Sequence, residues 1–561
     1  MQHSQRSHAQ QQELATLLLL GGAMLIAALA ATIPWVLALA AGWLHTGQLP
    51  ALSLGDALKV AVSPDFWSGD PAAAYPRPVA QQLPGGAGFW TSSALLVALV
   101  AAAVTAVGRE IDARMGQAIA DRRWYHLLRG RKPQPFGRYR SVRPLLVSEP
   151  CDDRVILGTI ARPSSLLAAA PNVQICAVAA PRSGKTSGLV IPALLEHPGP
   201  AVTTSVRTDV VNATITRRRQ LGQTWIWDPF GADTCSWDPL HGCEDWGHAL
   251  LVARWLSTAL QLGDGSSNEY FGEAAQEFAS PLLHAAALGD HTIVDVYQWA
   301  RDQKIQPAID ILTTAGHEDA IARLQSVMAL NARQRDGVTG TLQVQLRAYG
   351  HPSAARTAAR HAEGLTPERL FDGGANTLYV VAGREHQQTL APLVITMLSS
   401  LLYHVAEHEN RVGALSPRSL WLLDELASIA PLRALPQILA TSLPSVRFLT
   451  VWHSVAQIRE RYGPDGAATI LALSQAKIFL GSITDDHTRN ELVRLLGQTP
   501  TTLNGTEQWR DTLTAQALQR LQDGRSLLVH GELPPVFLEQ RRYYADPDLR
   551  RLAGDQTVVS S

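Results

Sequence analysis

Ala179-Ala-Pro-Arg-Ser-Gly-Lys-Thr186 is preceded by the apolar run Val173-Gln-Ile-Cys-Ala-Val178 and followed by Ser187-Gly-Leu-Val-Ile-Pro-Ala-Leu-Leu195. The first flank reads as a buried strand and the second as the start of a helix. Strand, tight loop ending in Lys-Thr, and helix form the layout of a nucleotide phosphate-binding loop. Backbone N–H groups at a helix N-terminus attract phosphate oxygens. Gly184 lets the main chain approach them closely. Lys185 can neutralise the β- and γ-phosphates, and the Thr186 hydroxyl can ligate Mg²⁺. Ala180, Pro181, Arg182, Ser183, Gly184, Lys185, Thr186 and Ser187 are therefore the expected ATP-binding residues. The usual pattern opens on Gly; Ala179 stands there instead, a residue at ease with φ < 0.

A second stretch, Ser419-Leu-Trp-Leu-Leu-Asp-Glu425, is an apolar strand ending in two carboxylates. Alone it reads as an ordinary strand end. Paired with a phosphate loop it fits the acidic strand of P-loop ATPases, with Asp424 on Mg²⁺ and Glu425 polarising the attacking water.

A chain of 561 residues has room for several domains. Its net charge of −1 excludes bulk electrostatic attraction to nucleic acid, so any DNA contact must use local patches. Cys151, Cys176, Cys235 and Cys243 show neither a C-x-x-C pair nor metal spacing, which fits a reducing compartment. The N-terminus differs. Residues 14–44 and 89–108 are uncharged and rich in Leu and Ala, each long enough for a membrane helix. Between them, 45–88 carries, of Lys and Arg, only Lys59 and Arg77, whereas Arg109, Arg114, Arg122, Arg123, Arg129, Arg131 and Lys132 follow the second segment. That asymmetry puts the C-terminal bulk in the cytoplasm and 45–88 outside. A cleaved signal peptide is the competing reading of the first segment, which is too long for a signal core. Residues 109–150 read as a basic juxtamembrane linker, either bound to anionic lipid or serving only as a topology signal.

From about residue 150 the pattern is α/β, with strands at 173–178, 201–205 and 224–228, resuming at 377–382, 419–425, 447–452, 476–480 and 526–530. The spacing implies a parallel sheet with helices on both faces. Residues 245–370 have helical periodicity and read as an inserted all-helical subdomain, so the nucleotide-binding domain comprises 151–244 and 371–548. Residues 549–561 read as a tail.

These segments in this order resemble the type IV coupling proteins of conjugation and type IV secretion. The carriers are the two N-terminal apolar segments, Pro181-Arg-Ser-Gly-Lys185 with Gly188-Leu-Val-Ile-Pro192, Ser205-Val-Arg-Thr-Asp209, Trp227-Asp-Pro-Phe230, Glu425-Leu-Ala-Ser428, the run Gln457 to Gly463, Ala476-Lys-Ile-Phe479 and Asp485-Asp486. The resemblance implies a RecA-like P-loop ATPase core with an all-helical insertion, preceded by two transmembrane helices. It implies a homo-hexamer at the inner membrane that recruits a relaxase bound to single-stranded DNA, or protein substrates, and passes them to type IV secretion channel proteins. Two positions depart from the family. His453 stands where a Gln often senses the γ-phosphate, and is read as its catalytic substitute. Ser442 stands where some members place an Arg that reaches the neighbouring subunit; Arg447 and Arg433 are the nearest basic residues, with Arg447 the preferred stand-in and a plain strand-flanking role its alternative. The competing functions are a double-stranded DNA translocase of the chromosome-segregation type, which usually carries a further C-terminal DNA-reading domain, and a nucleotide-binding membrane scaffold with little hydrolysis.

Overall fold

The structure is a computed structural model that describes residues 32, 34–95 except 68–69, and 136–554 except short stretches at 138, 140, 152–153, 161–164, 259–265, 372, 430–431, 442, 482, 504–505, 515–517, 520 and 522. Most of both expected membrane segments, most of the basic linker and the last residues of the expected tail lie outside the described residues, as does Ser442. The chain divides into two compact units, Met1–Arg131 and Lys132–Ser561.

In the first unit residues 34–46 and 86–95 are helical, and the segment between them is a packed module, not a plain loop. Ser53 caps the helix Leu54–Val62 by accepting from Asp56 N–H. Ala38, Ala41, Val60, Phe66, Tyr75, Val79, Leu83 and Phe89 form one apolar cluster. The Tyr75 hydroxyl donates to Pro34 O at 2.8 Å and Trp35 Nε1 to Leu52 O at 2.9 Å.

The second unit is built on a sheet. In chain order its strands are β1 Leu146–Val147, β2 Ile156–Thr159, β3 Leu166–Ala168, β4 Ile175–Ala179, β5 Ala201–Ser205, β6 Thr224–Trp227, β7 Thr377–Val381, β8 Ser419–Leu423, β9 Val446–Trp452 and β10 Ala476–Leu480. A hairpin, β11 Gln498–Leu503 and β12 Thr506–Asp511, stands apart from the sheet, which ends with β13 Arg525–His530 and β14 Val536–Glu539. The described sheet is twelve-stranded, in the order β1-β3-β2-β14-β13-β10-β4-β9-β8-β5-β7-β6. From β10 to β6 all neighbours are parallel, and from β10 back to β1 all are antiparallel.

Two cores lie on the two faces. Trp421 and Leu423 of β8 point into one, Leu420 and Leu422 into the other. Strands buried on both faces must be apolar throughout, which is why the parallel strands are so visible in the sequence. Between β6 and β7 the named elements are all helices, from Trp246–Thr258 to Pro367–Phe371. Their apolar residues merge with one face of the sheet into a single cluster instead of forming a separate core. Gln387–Arg411 is the one described helix long and apolar enough to cross a membrane, with a mean hydropathy of 1.6. Its apolar residues are explained by packing, since Leu393, Met397 and Leu401 are buried in the sheet's core.

Two expected boundaries move. Residues 136–147 belong with the sheet rather than a linker: Phe136 packs on Phe537 at 4.9 Å, and β1 pairs with β3. The expected tail begins inside a helix, Pro547–Ala553, whose Leu549 and Ala553 are buried.

Candidate functional site

The carboxyl ends of adjacent parallel strands form the natural ligand edge of such a sheet. Here β4 ends at the phosphate loop, β9 ends before His453, and β8 ends before Asp424 and Glu425; β9 lies between the other two. Residues 179, 424 and 453 are thus brought together by strand order alone.

The loop turns sharply. Arg182 and Gly184 have φ of 63° and 81°, and Gly188 N–H donates to Gly184 O at 2.7 Å. A wide turn, Thr186–Val190, closes through Ile191 N–H to Thr186 O and leads into the helix Ile191–Glu196. Such wide turns often mark functional sites. Pro192, with no N–H to give, sits at the start of that helix.

Lys185 Nζ lies 3.0 Å from Asp424 Oδ1 and 2.7 Å from Glu425 Oε1. Burial works against its charge, but the two carboxylates outweigh burial and hold the ammonium above its usual range. Thr186 Oγ1 is 3.4 Å from Asp424 Oδ2, and Thr204 Oγ1 donates to Asp424 O at 2.7 Å. Burial lifts the Asp424 carboxyl above its usual range, against the pull of Lys185.

Glu425 has φ of 55°, a left-handed conformation that costs a non-glycine residue of order 1 kcal/mol. The strain turns its carboxylate back between two donors, Lys185 on Oε1 and His453 Nε2 on Oε2 at 2.8 Å. Burial pushes Glu425 up, yet the hydrogen bonds from His453 and Lys185 prevail and hold it at about 2. The main-chain N–H of His453 donates to Gln457 Oε1 at 2.9 Å, and its ring Nδ1 has no partner among the described residues.

The residues suit a nucleotide with Mg²⁺. A hydroxyl and a carboxylate converge, and Mg²⁺ characteristically takes one or two protein oxygens besides phosphates and waters. Among the described residues no cluster of three or more His, Cys, Asp or Glu could hold a metal by protein ligands alone.

Arg447 is not at this site. It is 3 % exposed, at the start of β9, and close enough to buried His197 to help hold that imidazole's pKa down. Six residues of strand, roughly 20 Å, separate it from His453 at the far end. It faces the opposite edge of the sheet, so the expected reach into a neighbouring subunit is corrected. Arg433 is exposed in the turn before the helix Leu435–Thr441.

Two further groups of residues belong to this edge. Residues 206–209, Asp228 and Phe230 line an open cleft beyond β8, where Phe230 stacks on His386 at 3.8 Å. Residues 540–546, which the sequence reading passed over, lie against the phosphate loop. Their visible signal is the basic and aromatic run Gln540-Arg-Arg-Tyr-Tyr544 directly after a strand.

A model of the family described as type IV secretory system conjugative DNA transfer matches residues 147–561. The conjugal transfer protein TraG of Agrobacterium fabrum is 24 % identical over 332 residues, covering 56 % of this chain and 49 % of that protein. TraG of Rhizobium radiobacter is 22 % identical over 56 % of this chain and 51 % of its own length. The chain spans about half the length of these curated relatives. Among solved structures, the conjugative coupling protein TrwB in its unbound form has a TM-score of 0.55 at 16 % identity, covering 69 % of this chain and 88 % of that one. TrwB in complex with ADP and Mg²⁺ has a TM-score of 0.52 at 16 % identity, covering 66 % and 85 %. The likeness to TrwB shows a shared fold: the RecA-like mixed sheet described above.

Proposed function

Because the chain belongs to the type IV secretory system conjugative DNA transfer family, we propose that it is a membrane-anchored coupling ATPase. In this reading it recruits a relaxase with its single-stranded DNA, or a protein substrate, to the secretion channel. It drives transfer by hydrolysing ATP, as a homo-hexamer with the ATPase domain in the cytoplasm. The observation that carries the nucleotide reading is the convergence of Lys185, Asp424 and Glu425 within 3.0 Å at the carboxyl edge of the sheet. Mg²⁺ and nucleotide in the TrwB structures support it.

The residues divide the work. Backbone N–H groups of the loop bind phosphate oxygens, and Lys185 neutralises them. Thr186 and Asp424 would hold Mg²⁺, which supplies charge stabilisation for the phosphoryl group in flight. Glu425 accepts a proton from the attacking water. A carboxylate held at about 2 by two donors is a weak base. When Lys185 turns to a phosphate, Glu425 loses one donor and becomes more basic, so phosphate contact and base strength are linked. The structure gives Glu425 a hydrogen-bonded place at this edge, which speaks against a scaffold without hydrolysis. The membrane reading is supported by exposed Trp43 and Trp90, aromatic anchors at the module-facing ends of the two apolar segments.

The test is phosphate release by the full chain with and without single-stranded DNA. Lys185→Ala should abolish turnover and weaken nucleotide binding. Glu425→Gln should keep Mg-nucleotide binding and lower kcat by about 10²-fold or more, the scale of a positioned proton acceptor. Asp424→Asn should instead weaken the Mg²⁺ dependence. Hydrolysis by Lys185→Ala at the parent rate would overturn the reading.

A further inference from the structure

β14 ends at Glu539, and the chain then passes along the phosphate loop before entering the helix Pro547–Ala553. This strap is fastened on both sides of the loop. Gln540 N–H donates to Gly524 O at 2.8 Å, and Tyr543 N–H to Ser187 O at 3.0 Å. Arg541, nearly buried, binds Glu196 at 2.7 Å on the helix that follows the loop, and Asp546 at 2.8 Å.

The side chain of Gln540 enters the loop itself. Its Nε2 donates to Ser183 O at 3.2 Å. A Cβ at Gly184 would lie 2.6 Å from Gln540 Oε1, and one at Gly188 would lie 3.0 Å from it. Both glycines of the segment thus leave room for one amide from the far end of the chain. The contact has a direction. In a trans peptide the carbonyl and the next N–H point oppositely. With Ser183 O drawn toward Gln540, the Gly184 N–H is turned away from the strap, to the inner side of the loop.

We propose that Gln540 is a positioning residue of the nucleotide site, an amide clamp that orients the Gly184 peptide toward phosphate. This rests on the reading of residues 180–187 as a nucleotide site. The clamp acts on affinity, not on chemistry, because it touches neither Glu425 nor His453.

The experiment measures Kd for a fluorescent ADP analogue with Mg²⁺ on the purified full chain, together with apo melting temperature and kcat at saturating ATP. Gln540→Ala should raise Kd about tenfold, the scale of one lost orienting contact to a charged ligand, with kcat within about twofold of the parent. Gln540→Glu keeps the shape but loses the donor and adds negative charge beside the phosphate, so it should bind more weakly than Gln540→Ala. A filler role predicts the opposite order, because the isostere would then be the better substitute. Should Gln540→Ala fail to fold, Gln540→Met keeps the volume without the donor and takes its place in the comparison. Glu binding more tightly than Ala or Met, or all variants within twofold of the parent, would overturn the clamp. Lys185→Ala serves as the separate control. If it binds as tightly as the parent, the nucleotide site itself is wrong; if it alone loses binding, only the clamp fails.

Discussion

Glu425 sits between two donors, and each should be separable by mutation. His453→Ala removes the donor on Oε2 and leaves the half-buried carboxylate held by Lys185 alone. We expect kcat to fall about 10- to 100-fold, in the range for a misplaced proton acceptor, with nucleotide affinity unchanged. His453→Gln, which keeps an N–H donor, should retain most of the turnover. Equal loss in both would show that the imidazole, not its hydrogen bond, is needed. A second residue gives a pH signature. His197 is buried among main-chain carbonyls and Arg218, and burial holds its pKa at about 3 against 6.5 in the open chain. The unfolded chain therefore binds one more proton between those values. Stability contributed by neutral His197 is complete above 6.5 and declines as pH falls toward 3, by up to about 1.4 kcal/mol per unit. His197→Gln should flatten that part of the melting-temperature profile. The residues of the loop and the acidic pair were legible because their chemistry is written in short segments. Gln540 was not, because its meaning depends on a loop 357 residues earlier.

At the scale of elements, the parallel strands were readable almost to the residue, since burial on both faces leaves continuous apolar runs. The antiparallel extension was not. β2, β3 and β14 have four, three and four residues, too short for a period to declare itself. The helix Pro547–Ala553 hid behind its arginines, with Leu549 and Ala553 buried and Leu552 partly so. Arg447 was misread for a related reason: on sequence a lone Arg in a strand suggests an exposed flank, whereas all seven residues of β9 are buried. A buried arginine with a clear structural role is Arg218, on the helix Asp209–Leu221. Fully enclosed, it donates to Thr377 Oγ1 at 2.7 Å and to the carbonyls of Gly199 at 2.6 Å, Ala375 at 2.9 Å and His197. It ties the helix Asp209–Leu221 to the start of β5 and β7. Arg218→Ala should cost about 3 kcal/mol or more through the carbonyls it orphans, read as a lower denaturation midpoint with no change in nucleotide affinity of the folded fraction.

For the whole molecule, the two-span topology expected from the sequence makes a clear prediction. A reporter active only outside the cytoplasm should work when fused at Asp70 and fail when fused at Arg131 or after Tyr544. Activity at the later two positions would place the nucleotide site where ATP is absent. From residue 147 on, the family's order of segments was legible because the motifs are carried by core strands, while the packed module at 45–88 was not, since its helices are short and its apolar residues irregularly spaced. One feature of the sheet bears on how the chain is made. β4, which carries the phosphate loop, is flanked on one side by Ile175 pairing with Leu449 and on the other by Ile175 pairing with Ala476. Both neighbours leave the ribosome some 270 to 300 residues after β4 does. Synthesis at about 5–20 residues per second leaves the loop strand unpaired for tens of seconds. Through that interval the nascent chain has no assembled site with which to hold a nucleotide. The candidate site is complete only once β9 and β10 have arrived, and until then β4 is an apolar strand without its neighbours.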